Sequence, residues 1–205
     1  MQEFLRTLQH NSSAYGLELT GDVAERLREY YEQVVAWNAR LHLVAPCSPA
    51  EFATRHVLES LFAARFMKPG ANFADVGSGA GLPAIPCLVA RPDLRAALVE
   101  ASPKKAVFLR EALRRLELPD RAAVIAARFE KIETPAADYV TCRALERFSE
   151  LLPAMSDWSP PAATLLLFGG VSLRDKLESL GADFESHLLP RTEQRFLFVI
   201  NKKST

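Results

Sequence analysis

Net charge is missing from this chain: 25 lysines and arginines stand against 25 aspartates and glutamates, so the formal charge is zero. No global basicity draws it onto nucleic acid, and composition is silent on RNA. The basic groups are local: Arg55-His56, Arg65 with Lys68, Lys104-Lys105 with Arg110, Arg114 and Arg115, and Lys202-Lys203. Each taken singly reads as solvated surface. Cysteine is scarce too. Cys47, Cys87 and Cys142 are widely spaced, with no CxxC pair or Cys/His cluster, which argues against a disulfide framework or zinc site and for reduced thiols. Hydrophobic residues make up 49% of the chain, yet no apolar run approaches the roughly 20 residues that span a bilayer. Met1-Gln2-Glu3-Phe4 does not open a secretory signal, so the expected location is cytoplasmic. Internal repeats and low-complexity tracts are also lacking.

Glycine is present where it tells most. The buried-strand pattern of Phe73-Ala74-Asp75-Val76 collapses directly into Gly77-Ser78-Gly79-Ala80-Gly81-Leu82-Pro83. Glycine tolerates positive φ and has no Cβ, so a ligand can lie against the backbone of Gly77, Gly79 and Gly81. A second apolar run, Ala96 to Val99, ends in Glu100, nineteen residues after Gly81, and the stretch between suits one helix. The order is strand, glycine loop, helix, strand, acid. In a parallel α/β sheet ligands sit beyond the carboxyl ends of the strands, where an acid after the second strand can accept from two ribose hydroxyls. Glu100 is placed for that. A dinucleotide loop reads G-x-G-x-x-G, whereas this one reads G-x-G-x-G behind Asp75, and the spacing favours S-adenosylmethionine over NAD.

The 205 residues can bury one full core, an α/β domain of about 150 residues with an N-terminal appendage. Asp22-x-x-Glu25 offers a capping box to an amphipathic helix through Val23, Leu27, Tyr30, Val34 and Leu41, with fraying expected near Trp37-Asn38. Ser48-Pro49-Ala50-Glu51 is a clearer start, for a helix running to about Phe66. Lys68-Pro69-Gly70 then breaks the chain before the first strand. A helix from Leu82 to Ala90, with Pro83 in its first turn, follows the loop, and Ser102-Pro103 starts another with a stripe of Ala106, Leu109, Leu113 and Leu116. Further strands are expected at 122–126, 139–142, 163–168, 184–189 and 195–200, the last two pairing antiparallel, with a helix at 173–180.

These motifs together carry a resemblance: Trp37-Asn38 and Leu41, Arg55-His56 with Glu59-Ser60-Leu61, Asp75 through Pro83 with Ile85-Pro86, Glu100 with Lys104-Lys105 and Phe108-Leu109, Arg128-Phe129-Glu130, and Arg143-Ala144. The chain resembles, over almost its whole length, the small-subunit ribosomal RNA methyltransferase G family, also called glucose-inhibited division protein B. The resemblance implies a class I, Rossmann-like α/β fold with a mostly parallel seven-stranded sheet, made of a helical extension over 1–68 and an S-adenosylmethionine-dependent methyltransferase domain over 69–205. It implies methylation of N7 of one guanine in 16S rRNA, free or within the small ribosomal subunit, by a monomer without a metal. Gly77, Leu82, Phe129, Glu130 and Arg143 match the family's cofactor positions, beside Asp75, Ser78, Gly79, Gly81 and Glu100 of the loop. Arg143 suits the methionine carboxylate or an RNA phosphate, both of which fit a planar guanidinium. Arg55, His56, Lys104 and Arg143 are the expected RNA contacts. No general base is expected, because N7 already carries an available lone pair.

Two residues depart from the family pattern: Ala84 stands where glycine is common, and Phe168 where lysine is common, which removes a cation from the expected site rim. Other readings stay open at this level. Cys142 at a strand end is a buried thiol or the nucleophile of cytosine-C5 chemistry. His56 is packed or acts on RNA. Ser159-Pro160-Pro161-Ala162 reads as a loop, not as the aromatic-bearing element of amine methyltransferases. A cofactor-binding ribosome-assembly factor without catalysis, and a methyltransferase of another RNA base or of a small molecule, are the alternatives.

Overall fold

The structure, a computed structural model, describes residues 2–143 and 148–202; Ala144 and Lys203 of the motifs above lie outside them. The chain opens with α1 (Gln2–Asn11), a 3-10 turn at Ser12–Tyr15, and α2 (Gly21–Leu41). The cap of α2 is Thr20, whose hydroxyl accepts from the Val23 amide at 3.4 Å, and not Asp22, which already lies within the helix. The helix does not fray at Trp37-Asn38. Trp37 packs edge-on against Phe108, with centroids 5.9 Å apart, and Asn38 exchanges two 3.0 Å hydrogen bonds with the backbone of Val44. The chain leaves α2 through His42 at φ +47, a left-handed turn that folds residues 43–47 back over the helix end.

Ser48 caps the next helix as expected, accepting from the Glu51 amide at 3.1 Å. That helix is α over α3 (Pro49–Glu51), π-helical over Phe52–Leu58, and α again over α4 (Glu59–Ala64). The π stretch carries a Glu59 amide to Thr54 carbonyl bond, a wider ring than an α-helix closes. Phe4, Tyr30, Tyr31 and Phe52 form the aromatic centre of this helical region, with Phe4 stacked on Tyr31 at 4.8 Å.

Seven strands follow among the described residues: β1 (Asn72–Val76), β2 (Arg95–Val99), β3 (Ala122–Ile125), β4 (Tyr139–Arg143), β5 (Thr164–Gly169), β6 (Phe184–Leu188) and β7 (Phe196–Asn201). Their order is β3-β2-β1-β4-β5-β7-β6, parallel except for β7, which runs against both neighbours. Between them lie α5 (Ala84–Ala90), α6 (Pro103–Arg115), α7 (Phe148–Trp158) and α8 (Val171–Ser179). The loop helix starts at Ala84 rather than Leu82, after a turn through Pro83. Side chains alternate along each strand. Phe73, Leu98, Leu166, Phe168 and Leu197 share one core with the N-terminal helices, α5 and α6, while Val76, Val140, Leu167 and Phe198 pack with α7 and α8. The same alternation puts Asp75, Thr141 and Arg143 on the face toward the N-terminal helices. Asp75 is register partner of Thr141, and Arg143 of Phe168.

Candidate active site

Between β1 and β4 the strand order reverses, and a crevice opens there beyond the carboxyl ends of the strands. It is a cavity of about 930 Å³, toward the upper end of the roughly 300–1,000 Å³ that ligand sites occupy. Gly77, Ser78, Gly79 and Leu82 form one wall. Gly77, Gly79 and Gly81 have φ of +70°, +54° and +86°, the left-handed region glycine enters freely. Gly81 does not face the cavity; it lies against Ile85 and Leu109.

The loop's amides are almost all used within the protein. Gly77 and Ser78 donate to the Val99 carbonyl at 2.9 and 3.2 Å, and Gly81 and Leu82 donate to the Ser78 carbonyl at 2.6 and 3.2 Å. Gly79 donates to the Glu100 carboxylate at 2.8 Å. A loop so satisfied, with a carboxylate at its centre, is no cradle for a pyrophosphate, which requires free donors. The second Glu100 oxygen accepts from the Ser102 amide at 2.7 Å, and a carboxylate has lone pairs beyond these two bonds. Tyr30, fully buried on α2, donates its hydroxyl to the Ala80 carbonyl at 2.7 Å and so fixes the loop from the N-terminal helices.

Phe129 and Glu130 reach the cavity from the turn after β3; the Phe129 ring is held edge-on by Trp158 at 5.6 Å. Arg55, His56 and Arg143 also line the cavity. Arg143 donates through Nη2 to the Glu59 carboxylate at 3.0 Å and to the Arg55 carbonyl at 2.6 Å, inside the π-helical stretch. Glu59, 1% exposed, also takes Arg195 at 2.7 Å. Arg143 Nη1 is buried with no hydrogen-bond partner among the described residues. An arginine donor withheld in this way at a cavity wall, bare glycine backbone and a carboxylate with open lone pairs are what an amino-acid carboxylate and a ribose require. S-adenosylmethionine therefore fits this site, and a phosphate-bearing dinucleotide does not.

Of the expected residues, Asp75, Gly81 and Lys104 do not line the cavity. Asp75 is fully buried beneath the loop, accepting from the Thr141 hydroxyl at 2.7 Å, and Lys105, not Lys104, faces the cavity. Sequence reading missed the strap over residues 43–47, which closes one side. Its signal was Asn38, a polar residue whose partner is the strap backbone. Cys142 is fully buried in the sheet and does not reach the cavity.

Two groups here titrate in opposite senses. Burial pushes the Asp75 carboxyl up to about 7, against the hydrogen bond from Thr141. Burial, with repulsion from Arg143, Arg55 and Arg195, lowers His56 to about 3. The folded chain holds the extra proton on Asp75, so that stabilisation is complete at low pH and is lost as pH rises from about 4 to about 7. For His56 the unfolded chain holds the extra proton, so stability is lost as pH falls from about 6.5 toward about 3. The two slopes oppose each other where they overlap. Asp75→Asn should therefore unmask a fall in stability on acidification below pH ~6.5, and His56→Gln a rise between pH ~7 and ~4, each at most about 1.4 kcal/mol per pH unit. Urea titrations across pH check this, and curves parallel to the unsubstituted protein would exclude both assignments.

Comparison with known proteins identifies the family and the fold. Residues 23–199 match the family described as rRNA small subunit methyltransferase G. A ribosomal RNA small subunit methyltransferase G from Xanthomonas campestris pv. campestris (strain B100) is 38% identical over 191 residues, covering 90% of this chain and 89% of that protein. One from Anaeromyxobacter dehalogenans is 35% identical over 181 residues, covering 84% of each. Among solved structures, a SAM dependent methyltransferase from Aquifex aeolicus superposes with a TM-score of 0.59 at 16% identity, covering 75% of this chain and 94% of that one, which is a likeness of fold.

Proposed function

The chain belongs to the rRNA small subunit methyltransferase G family, and on that premise we propose that it methylates N7 of a guanine in 16S rRNA with S-adenosylmethionine. The observation that carries this is the cavity at the β1/β4 reversal, with its satisfied glycine loop and its withheld arginine donor. The cofactor, when bound, supplies an electrophilic methyl on a sulfonium. Gly77, Ser78, Gly79 and Leu82 offer it backbone and apolar surface, and Asp75 and Gly81 hold that loop from beneath. Glu100 would hold the ribose, Phe129 and Glu130 the adenine, and Arg143 the carboxylate.

Guanine N7 needs no proton removed, so the residues on this wall have to align and not deprotonate. Orientation of this kind supplies ~7–11 kcal/mol in favourable systems. His56, held neutral, faces the RNA as an uncharged hydrogen-bonding group. Arg55 and Lys105 supply the positive rim, with Lys104 beside them on α6 as a further RNA contact, and we take the protein to act as a cytoplasmic monomer on RNA or on the small subunit.

The test is transfer of labelled methyl from S-adenosylmethionine to rRNA and to small subunits from cells lacking the protein, with the modified nucleotide mapped. A single 7-methylguanosine is expected; no transfer to either substrate would leave the assembly-factor reading. Cys142→Ala should keep turnover within about twofold, because a thiol enclosed in the sheet cannot add to a base. Loss of turnover with cofactor affinity intact would point to cytosine chemistry instead. Arg55→Ala and Lys104→Ala should each flatten the salt dependence of RNA binding, by about 0.7–0.9 in the log-log slope for every phosphate no longer neutralised. Unchanged slopes would make them ordinary surface charges.

A further inference from the structure

Arg143 is held on three sides, and the third holder is unusual. Its Nη2 is committed to Glu59 and to the Arg55 carbonyl, and its guanidinium carbon lies 5.2 Å from the centroid of the Phe168 ring. Phe168 is its register partner on β5, on the same face of the sheet, and is 7% exposed. A ring within about 6 Å of a guanidinium attracts it through the ring quadrupole. The ring has no lone pair to accept from the in-plane N–H donors, so it holds the cation without a conventional hydrogen bond. A carboxylate or amide at position 168 would compete for the free Nη1. A lysine would place a further positive charge where Arg143 and Arg195 already share the single Glu59 carboxylate.

We propose that Phe168 is a positioning residue for Arg143: its ring steadies the guanidinium without consuming a donor, so that Nη1 stays free for the cofactor carboxylate. The proposal rests on the reading of Arg143 given above. Burial works against this charge, lowering the Arg143 pKa from its ordinary value with Glu59 opposing, so an uncharged holder that still attracts the cation suits the place.

The test compares a ring-keeping variant, Phe168→Tyr, with two ring-free apolar ones, Phe168→Leu and Phe168→Met, and with the cationic Phe168→Lys. Thermal unfolding selects the variants that fold. Calorimetric titration with S-adenosylmethionine and steady-state methyl transfer are then read on those. Phe168→Tyr should stay within about twofold of the unsubstituted protein. The ring-free variants should bind cofactor about 3- to 30-fold more weakly, as removal of one cation–π interaction implies, with KM for the cofactor raised and KM for RNA unchanged. Phe168→Lys should be weaker still. Folded ring-free variants with unchanged cofactor affinity would reduce Phe168 to core filling and overturn the proposal. Arg143→Lys separates the two levels. If it leaves cofactor affinity unchanged, the reading of Arg143 fails; if it weakens binding while Phe168→Leu and Phe168→Met do not, the proposal alone fails.

Discussion

Glu59→Ala is expected to cost the folded protein about 3–5 kcal/mol, the largest loss of stability from any single side chain at this site. The carboxylate is 1% exposed and lies between two arginines from different strands' ends. Their exposures decide the outcome. The Arg195 side chain is 42% exposed and can turn to water, whereas the Arg143 side chain is 12% exposed and cannot. Removing Glu59 therefore leaves one buried charge without compensation. Replacing both partners by apolar groups removes that penalty, so Glu59→Met with Arg143→Met should regain most of the stability while cofactor affinity stays lost. Urea unfolding reads the first effect as a lower midpoint at unchanged slope, and calorimetric titration reads the second. A Glu59→Ala protein within about 1 kcal/mol of its parent would show that the clamp contributes nothing beyond a surface ion pair.

This clamp illustrates where the sequence stops being readable. Most strands were legible as short apolar runs, β6 with its Glu185, Ser186 and His187 being the exception, and the glycine loop because glycines after a strand and an acid after the next strand meet at one end of a parallel sheet. Gly77, Gly79, Glu100, Phe129 and Arg143 all lie on one cavity for that reason. Glu59 and Arg195 are 136 residues apart, and Tyr30 and Ala80 are 50 apart; no periodicity encodes either pairing. The π stretch at Phe52–Leu58 leaves no mark in composition, yet it supplies the Arg55 carbonyl that Arg143 uses. Lys104 and Lys105 differ by one residue, about 100° around a helix, and which of them faces the cavity depends on how α6 is seated on the sheet. The cap of α2 fell two residues earlier than the acidic pattern suggested, because Thr20 offers a hydroxyl to the Val23 amide before Asp22 is reached.

Gly79→Asn and Gly81→Ala should separate cofactor binding from folding within one loop. Gly79 has open space where a side chain would begin: an added Cβ would meet only the Gly77 carbonyl, at 3.7 Å. Its φ of +54° is one that asparagine adopts more readily than other side-chain-bearing residues. The variant should fold with a loss of about 1 kcal/mol, yet fill part of the cavity wall and weaken S-adenosylmethionine binding at least tenfold. Gly81 is the reverse case. A Cβ there would lie 2.5 and 2.7 Å from Ile85 carbons and 3.2 Å from Leu109, in residues that are fully buried, at a φ of +86°. Neither neighbour has room to give, so even alanine should lower stability by about 1–3 kcal/mol, the usual cost of overpacking, and move α5 away from the loop. Calorimetric titration beside urea unfolding distinguishes the two. If folded Gly79→Asn binds S-adenosylmethionine as tightly as its parent, the cofactor does not lie against this backbone, and the assignment of the glycine loop has to be abandoned.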